Sequence, residues 1–225
     1  MDLVKSYDFF KPETCGDRIH IIGCGAVGST VAENLVRFGL TNMTLYDFDT
    51  VEAHNIANQM FRTIDIGKPK TQALAEILTE INPELEGKMR IEAEGYHGQR
   101  LSGYVFLCVD NIDLRREIAT ANKCNPYIKA MFDFRIRLED AQHYAADWKN
   151  PKMVNNFLAT MQFSHEEAKK ETQVSACNVE LSVAPTVRQI CALGVSNFIN
   201  FVKSGGAAIK KMILASAFDF DIQAF

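Results

Sequence analysis

The sequence lacks a Cys-x-x-Cys pair, a long run of one charge sign and an apolar stretch of the roughly 18 residues that a membrane helix requires. The six scattered cysteines are typical of reduced thiols, and the five histidines show no ligand spacing, so we expect no zinc site. Residues 1–8 carry acids where a secretion signal needs basic residues. These absences together predict a cytoplasmic protein with no membrane partner.

Charge and composition narrow the class of protein further. Lysine plus arginine number 24 and aspartate plus glutamate 28, which gives a net charge of -4. This balance argues against a nucleic-acid-binding surface. The chain has 225 residues, of which 47% are hydrophobic, and shows neither an internal repeat nor a low-complexity tract. We therefore expect one globular domain over residues 1–225.

Short apolar strands alternate with amphipathic helices in the first 135 residues. Strands are predicted at 18–23, 43–46, 89–93, 104–109 and 127–132, and helices at 26–38, 69–81 and 114–121. This alternation predicts an α/β fold, a Rossmann-like doubly wound and mainly parallel sheet. Residues 50–67 have no clean period and are predicted to form a long functional loop with short helical turns.

The remainder of the chain has a different character. Residues 138–173 are polar and irregular apart from a charged helical patch at 165–171, and we interpret them as an inserted or crossover segment. A long helix is predicted from residue 184, and the apolar tail 211–225 is predicted to form a final strand or an interface. The single domain thus divides into a nucleotide-binding core, 1–135, and a C-terminal part, 136–225.

A Gly-x-Gly-x-x-Gly motif joins the first predicted strand to the first helix at Gly23, Gly25 and Gly28. The first glycine permits a tight turn, the second lets backbone approach a phosphate, and the third lets the helix pack on the strand. Asp47 ends the second strand, where a carboxylate accepts hydrogen bonds from ribose hydroxyls. These four residues predict an adenine nucleotide site, and by themselves favour an NAD-dependent dehydrogenase.

The residues that follow Asp47 favour a different function over an NAD-dependent dehydrogenase. Four further motifs stand in order: D-x-D at 47–49, an N-rich segment at 55–59, G-x-x-K at 67–70, and D-N at 110–111 followed by Arg115. With the glycine loop, this order resembles the ThiF/MoeB/E1 family over about half of the chain. The resemblance implies ATP-dependent adenylation of the C-terminal carboxylate of a small ubiquitin-like or sulfur-carrier protein, and a homodimer.

The resemblance also implies roles for individual residues. Adenylation crowds phosphate charge beside an attacking carboxylate, so the site needs cations and a metal. Lys70 matches the family lysine that contacts phosphate, and Asp110 matches the magnesium ligand. Asp47 corresponds to the ribose acceptor, and Asn55 and Gln59 to residues that orient the triphosphate. Three further cofactor-binding positions come from the same motifs: Asp49, Asn58 and Asn111.

The chain departs from the family pattern in two places. Asn58 stands where the family has an arginine that faces phosphate, and Arg62, four residues on, is the candidate replacement. The family segment near the amino terminus that supplies an arginine to the partner subunit is not recognisable at 8–11. Nucleotide binding therefore follows more directly from the sequence than full adenylating activity.

Cys177 is the candidate acyl acceptor. Residues 175–185 resemble a family stretch in which a cysteine precedes an apolar segment, a proline and the last long helix. In some members that cysteine takes over the activated acyl group, since a thiolate attacks an acyl-adenylate well. A buried and inert cysteine is the alternative.

Three alternative functions stay open at this point. One is an NAD-dependent oxidoreductase, which has no use for Lys70 or Asp110. Another is a non-catalytic E1-like scaffold, which the missing arginines allow. The third is adenylation of a different carboxylate, that of a peptide or a tRNA-linked group.

Overall fold

The computed structural model describes residues 1–174 and 181–225. Within these ranges one eight-stranded sheet has the strand order β3-β2-β1-β4-β5-β6-β7-β8. The strands are β1 (Ile19–Ile22), β2 (Met43–Tyr46), β3 (Arg90–Glu92), β4 (Gly103–Leu107), β5 (Ile128–Ile136), β6 (Asp140–Asp147), β7 (Met212–Ser216) and β8 (Asp221–Ala224). The helices are α1 (Ala26–Arg37), α2 (Lys70–Ile81), α3 (Ile112–Ala121), α4 (Pro151–Ala159), α5 (His165–Glu171) and α6 (Ala184–Lys203).

The first five strands of the sheet are parallel, in the order β3-β2-β1-β4-β5. Every residue of β1, β2 and β4 is buried, because helices cover both faces of a parallel sheet. This burial explains why these strands are mainly apolar on both faces rather than alternating between apolar and polar residues. The predicted doubly wound, mainly parallel α/β fold is confirmed.

Aromatic side chains form the core on the face covered by α1 and α6. The rings of Phe106 and Phe132 stack with centroids 4.9 Å apart, and Phe198 of α6 meets both of them edge-on. All three side chains are fully buried. Aromatic pairs in these geometries stabilise a fold beyond the burial of their surface. The long helix α6 is thereby fixed against the centre of the sheet.

The prediction of an irregular segment at 138–173 is wrong for much of its length. Residues 140–147 form β6, which pairs antiparallel with both β5 and β7, and residues 151–159 form α4. Strand β6 reads Asp-Ala-Gln-His-Tyr-Ala-Ala-Asp, with little β propensity. Pairing on both sides and burial of the alternate residues Ala141, His143 and Ala145 stabilise it, and neither is visible in the local sequence. Helix α4 begins at a cap, since Asn150 Oδ1 accepts from the N–H groups of Lys152 and Met153.

The tail contains two strands where one was predicted. β7 pairs antiparallel with β6, and β8 pairs antiparallel with β7 and forms the edge of the sheet. The loop at 50–67 holds two short 3-10 helices, Ala53–Ala57 and Thr63–Asp65, as expected. Among the helices described here, none is both long and apolar enough to cross a membrane.

Candidate active site

A cleft of about 1600 Å³ opens at the carboxyl ends of β1, β2, β4 and β5. Strand β1 lies between β2 and β4, so the chain leaves it in one direction and returns on its other side. Ligands of open α/β sheets bind at such a switch point. Gly23, Asp47, Asp110 and Arg135, which follow or end these four strands, all line the cleft.

The glycine loop lies at the base of the cleft, and its three glycines meet different surroundings. Gly23 has φ +93°, and a Cβ there would approach the backbone of Cys108 to 2.8 Å. A Cβ on Gly28 would lie 1.8 Å from the carbonyl oxygen of Gly23, so this position requires glycine for the helix to approach the strand. A Cβ on Gly25 would meet nothing within 4 Å. Gly23 and Gly25 line the cleft, whereas Gly28 packs behind the loop.

Asp47 links the second strand to the glycine loop. Its Oδ2 accepts a 2.6 Å hydrogen bond from the backbone N–H of Cys24, and its Oδ1 accepts one of 2.9 Å from the N–H of Asp49. Burial raises the pKa of this carboxyl group above its ordinary value, against these two donors. The carboxylate is thus fixed beside the loop, in the position at which Rossmann-type sites bind ribose.

Lys70 begins α2 and points into the cleft. Its Nζ donates a 2.7 Å hydrogen bond to Asp49 Oδ2. The lysine side chain is 10% exposed, whereas that of Asp49 is 51% exposed. Both residues line the cleft, so the structure brings together two members of separate sequence motifs.

The loop after β2 contributes three amide side chains to the cleft wall, Asn55, Asn58 and Gln59. Asn55 Oδ1 accepts from the N–H of Glu52 at 2.8 Å and fixes the first 3-10 turn. Asn58 Nδ2 donates to the carbonyl oxygen of Ser182 at 3.4 Å. Gln59 Oε1 is buried and has no hydrogen-bond partner among the described residues. An orphaned acceptor at a cleft wall is a place where a ligand donor fits.

Asp110 and Asn111 follow β4 but have different surroundings. Asp110 lines the cleft. Asn111 caps α3 instead, because its Oδ1 accepts from the N–H groups of Asp113 and Leu114 at 2.9 and 3.1 Å, and it is not among the lining residues. The structure thus brings the predicted magnesium ligand to the cleft, while the predicted cofactor contact of Asn111 has no counterpart in its wall.

Arg62 does not reach the cleft. Its guanidinium donates to Asp65 and, with 2.8 and 3.0 Å bonds from Nη1, to Glu80. The Asp65 side chain is fully buried and holds both Arg62 and Lys68, so the loop folds around it. Arg62 is committed to this ion cluster and takes no place in the cleft wall. Cys177 lies outside the described residues.

The cleft also contains residues that the sequence motifs did not indicate. These residues are Arg135 of β5, Arg137 directly after β5, Tyr144 of β6, Phe163 before α5 and His165 at the start of α5. The sequence contains one signal for these residues. Asp133, Arg135 and Arg137 recur at every second position, the spacing that places side chains on one face of a strand. It was missed because β5 was predicted to end at residue 132.

Comparison with known proteins decides the family. The family model described as "ThiF family" matches residues 15–225. The chain belongs to the ThiF family. Ubiquitin-like modifier-activating enzyme 5 of Dictyostelium discoideum is 36% identical over 137 residues, which are 54% of this chain and 35% of that protein. The enzyme of the same name from Branchiostoma floridae is 33% identical over 141 residues, 56% of this chain and 33% of its own length.

Solved structures agree on the fold of this ThiF-family chain. PaaA superposes with a TM-score of 0.71 and 17% identity over 100% of this chain and 68% of its own. MccB of E. coli with ATP gives a TM-score of 0.71 and 16% identity over 95% of this chain and 65% of its own. The chain spans about a third of the length of the curated relatives that it matches.

Proposed function

We propose that this protein uses ATP to adenylate a carboxylate. The observation that carries the proposal is the convergence of Gly25, Asp47, Lys70 and Asp110 on one cleft at the switch point of the sheet. These four residues come from four separate motifs, and the fold brings them to a common wall. Membership of the ThiF family and the solved complex of MccB with ATP support ATP as the nucleotide.

The residues of the cleft fit a nucleoside triphosphate. The space above Gly25 admits a phosphate against the backbone, and the first turn of α1 directs its N–H groups to that space. Asp47 lies beside the loop as a ribose acceptor, and Gln59 Oε1 offers an unused acceptor. Lys70 supplies the cation, since its pairing with the half-exposed Asp49 is replaceable by phosphate.

Asp110 would hold a magnesium ion with the phosphates. Within residues 1–174 and 181–225, no group of three or more His, Cys, Asp or Glu side chains is arranged to hold a metal ion. Magnesium, however, is commonly bound by one or two carboxylates together with substrate phosphates and water. A single cleft carboxylate therefore fits magnesium bound with ATP, and the metal would supply charge neutralisation at the reacting phosphates.

The chain's own residues contribute binding and orientation. Lys70 neutralises phosphate charge from a side chain that the surrounding protein holds nearly buried, so its field is screened less than that of a surface lysine. Asp47 positions the ribose and also fixes the glycine loop through Cys24. Together these two residues would hold the phosphates and the ribose of ATP in the part of the cleft that faces β1 and β2.

We propose a small ubiquitin-like or sulfur-carrier protein, or a peptide, as the source of the carboxylate. The name of the curated relatives refers to a ubiquitin-like modifier, and one MccB structure was solved with AMPCPP and MccA. The cleft continues along β6, β7 and β8, which gives an extended chain a path to the nucleotide. We also propose a homodimer, supported by exposed apolar side chains in and beside β8, Phe218, Phe220, Ile222 and Phe225.

A scaffold without catalysis is the second candidate, and one observation favours it. Asn58 replaces a family arginine, and Arg62 is held by Asp65 and Glu80 away from the cleft. The described part of the cleft wall therefore lacks the phosphate-facing cation that the family resemblance implies at position 58. Such a scaffold predicts ATP binding without turnover.

Calorimetric titration with magnesium-ATP and separately with NAD tests the proposal. We expect ATP to bind, NAD to give no heat, and Asp47→Ala to abolish ATP binding while the fold is retained. ATP-pyrophosphate exchange with candidate carrier proteins then separates the enzyme from the scaffold. Tight NAD binding with no heat from ATP would instead identify an oxidoreductase.

A further inference from the structure

Asp133 is shared by two arginines at the floor of the cleft. It lies in β5 with its side chain fully buried. Its Oδ1 accepts from Arg115 Nη1 at 2.8 Å, and its Oδ2 accepts from Arg135 Nε at 2.7 Å. We call these three residues the Asp133 triad. One carboxylate serves two guanidinium groups, so the triad carries a net charge of one positive unit.

This charge has no full counterpart among the described residues. The other partners of the two arginines are the carbonyl oxygens of Val109, Phe134 and Thr160 and the Thr160 hydroxyl. The carbonyl at the end of α4 offsets only part of one charge. Asp140 and Asp221 line the same half of the cleft, but both are exposed and solvated. A buried excess of one charge is costly unless an anion compensates it.

Arg135 is the member of the triad that is ready to bind an anion. Its Nη1 and Nη2 donate to the carbonyl and hydroxyl oxygens of Thr160 at 2.7 and 2.8 Å. Its guanidinium carbon lies 4.4 Å from the centroid of the Tyr144 ring and 5.6 Å from that of Phe163. A guanidinium has five N–H groups, so two stay without a partner in the described parts of the chain. These contacts hold the guanidinium group in place before any ligand binds.

Other cations of the cleft are less suited to this role. Lys70 is on the nucleotide side and pairs with Asp49. Arg115 is enclosed by Val109, Phe134 and Asp133, and only 7% of its side chain is exposed. Arg137 is 62% exposed and pairs with Glu171. Arg135 is therefore the cation of the cleft whose contacts and exposure best suit binding of an anion.

The position of Arg135 indicates which anion it meets. Asp47, the glycine loop and Asp110 follow β2, β1 and β4, and Arg135 is on β5, one strand further along the sheet. It therefore lies beyond Asp110 from the ribose site, where the cleft continues along β6 and β7. We propose that Arg135 binds the carboxylate of the acyl substrate before adenylation. This inference rests on the proposed function.

Arginine side-chain NMR tests the inference with small probes. The Nε–H resonance of Arg135 is assigned as the one that disappears in Arg135→Lys. N-Acetylglycine supplies a peptide-type carboxylate, N-acetylglycinamide is its neutral match, and AMP and inorganic phosphate supply phosphate oxygens. We expect the resonance to shift saturably with N-acetylglycine and not with the other three.

Two variants measure how much Arg135 contributes to the affinity for N-acetylglycine. In these variants the affinity is obtained from the shifts of the backbone amide resonances of Thr160 and Phe163. Arg135→Gln is expected to weaken N-acetylglycine binding by about tenfold or more, equivalent to about 1.4 kcal/mol. Arg137→Gln is the matched control, since Arg137 follows β5 directly and lines the same cleft, and it should leave binding unchanged. If Arg135→Gln does not fold, the comparison of acid with amide in the unmodified protein decides the matter.

The outcomes separate this inference from the proposed function. If N-acetylglycine causes no shift, the inference about Arg135 is wrong. Arg135 then only holds the end of α4 in place through its bonds to Thr160. A shift with AMP or phosphate, but not with the acid, also overturns the inference and assigns Arg135 to the phosphate site. Calorimetry with magnesium-ATP on the same sample reports on the nucleotide site independently, so loss of ATP binding alone would remove the proposed function and not the carboxylate site.

Discussion

Lys70 and Asp49 form an ion pair of 2.7 Å inside the cleft, with the lysine nearly buried and the carboxylate half exposed. In the proposed function a phosphate of ATP takes the place of the Asp49 carboxylate on Lys70, so Lys70→Met should remove a nucleotide contact and little else. We expect the affinity for magnesium-ATP to fall by about tenfold or more, since a charged hydrogen bond contributes about 1.5–3 kcal/mol. Calorimetric titration measures the change.

Lys68 offers a matched control for this substitution. It lies two residues away and pairs with Asp65 and Glu76, and it does not line the cleft. Lys68→Met should leave ATP affinity unchanged. Equal losses in Lys68→Met and Lys70→Met would mean that the effect is one of general charge rather than of contact.

The glycine loop allows binding and folding to be separated. A Cβ on Gly25 enters open space in the cleft, so Gly25→Ala should keep the stability of the protein and lose ATP binding. A Cβ on Gly28 collides with the Gly23 carbonyl at 1.8 Å, so Gly28→Ala should lower the free energy of unfolding. Urea denaturation and calorimetry on both variants check this. Unchanged ATP affinity in a folded Gly25→Ala protein would contradict a phosphate at this position.

Arg62 should matter for folding and not for the nucleotide. It holds the buried carboxylate of Asp65 and reaches Glu80 on α2, outside the cleft. Arg62→Met should therefore reduce stability in urea while ATP affinity stays at the level of the unmodified protein. A selective loss of ATP affinity would restore Arg62 as the replacement for the missing family arginine.

The parallel half of the fold could be predicted from the sequence because its signals are local. Strands such as β1 and β4 are mainly apolar, and the glycine loop lies between a strand and a helix. The same local signals in the sequence identified Asp47, Lys70 and Asp110. These residues lie at or just beyond the ends of helices and strands, and they line the cleft. Asn111 caps α3, and because a helix cap and a ligand contact use the same residue types, the sequence could not distinguish the two roles.

The antiparallel half could not be predicted in the same way. Strand β6 depends on β5 and β7 for its hydrogen bonds, and β7 is about 70 residues away in the chain. Arg135 consequently stood in a segment without an assigned structure. Its role depends on Asp133, Thr160 and Tyr144, which only the folded sheet brings together.

Two buried histidines should make stability depend on pH. Burial lowers the pKa of both His20 and His143 to about 4, and the ordinary value of 6.5 applies to the unfolded chain. The unfolded state therefore binds more protons between these values, so stability is full above pH 6.5 and falls as the pH drops toward 4. The slope is about 1.4 kcal/mol per pH unit for each histidine. Urea denaturation of His143→Gln should show a smaller slope, and exposed His97→Gln an unchanged one.

Removal of Asp133 should be far more costly than removal of a surface partner. Asp133→Asn leaves Arg115 and Arg135 buried with no carboxylate between them, and breaking such a buried ionic contact costs about 3–5 kcal/mol. Glu171→Gln breaks an ion pair with Arg137 in which both side chains are mostly exposed, and little change is expected. Urea denaturation compares the two. If a bound carboxylate compensates the triad's excess charge, N-acetylglycine should stabilise the unmodified protein, and it should do so less in Arg135→Gln.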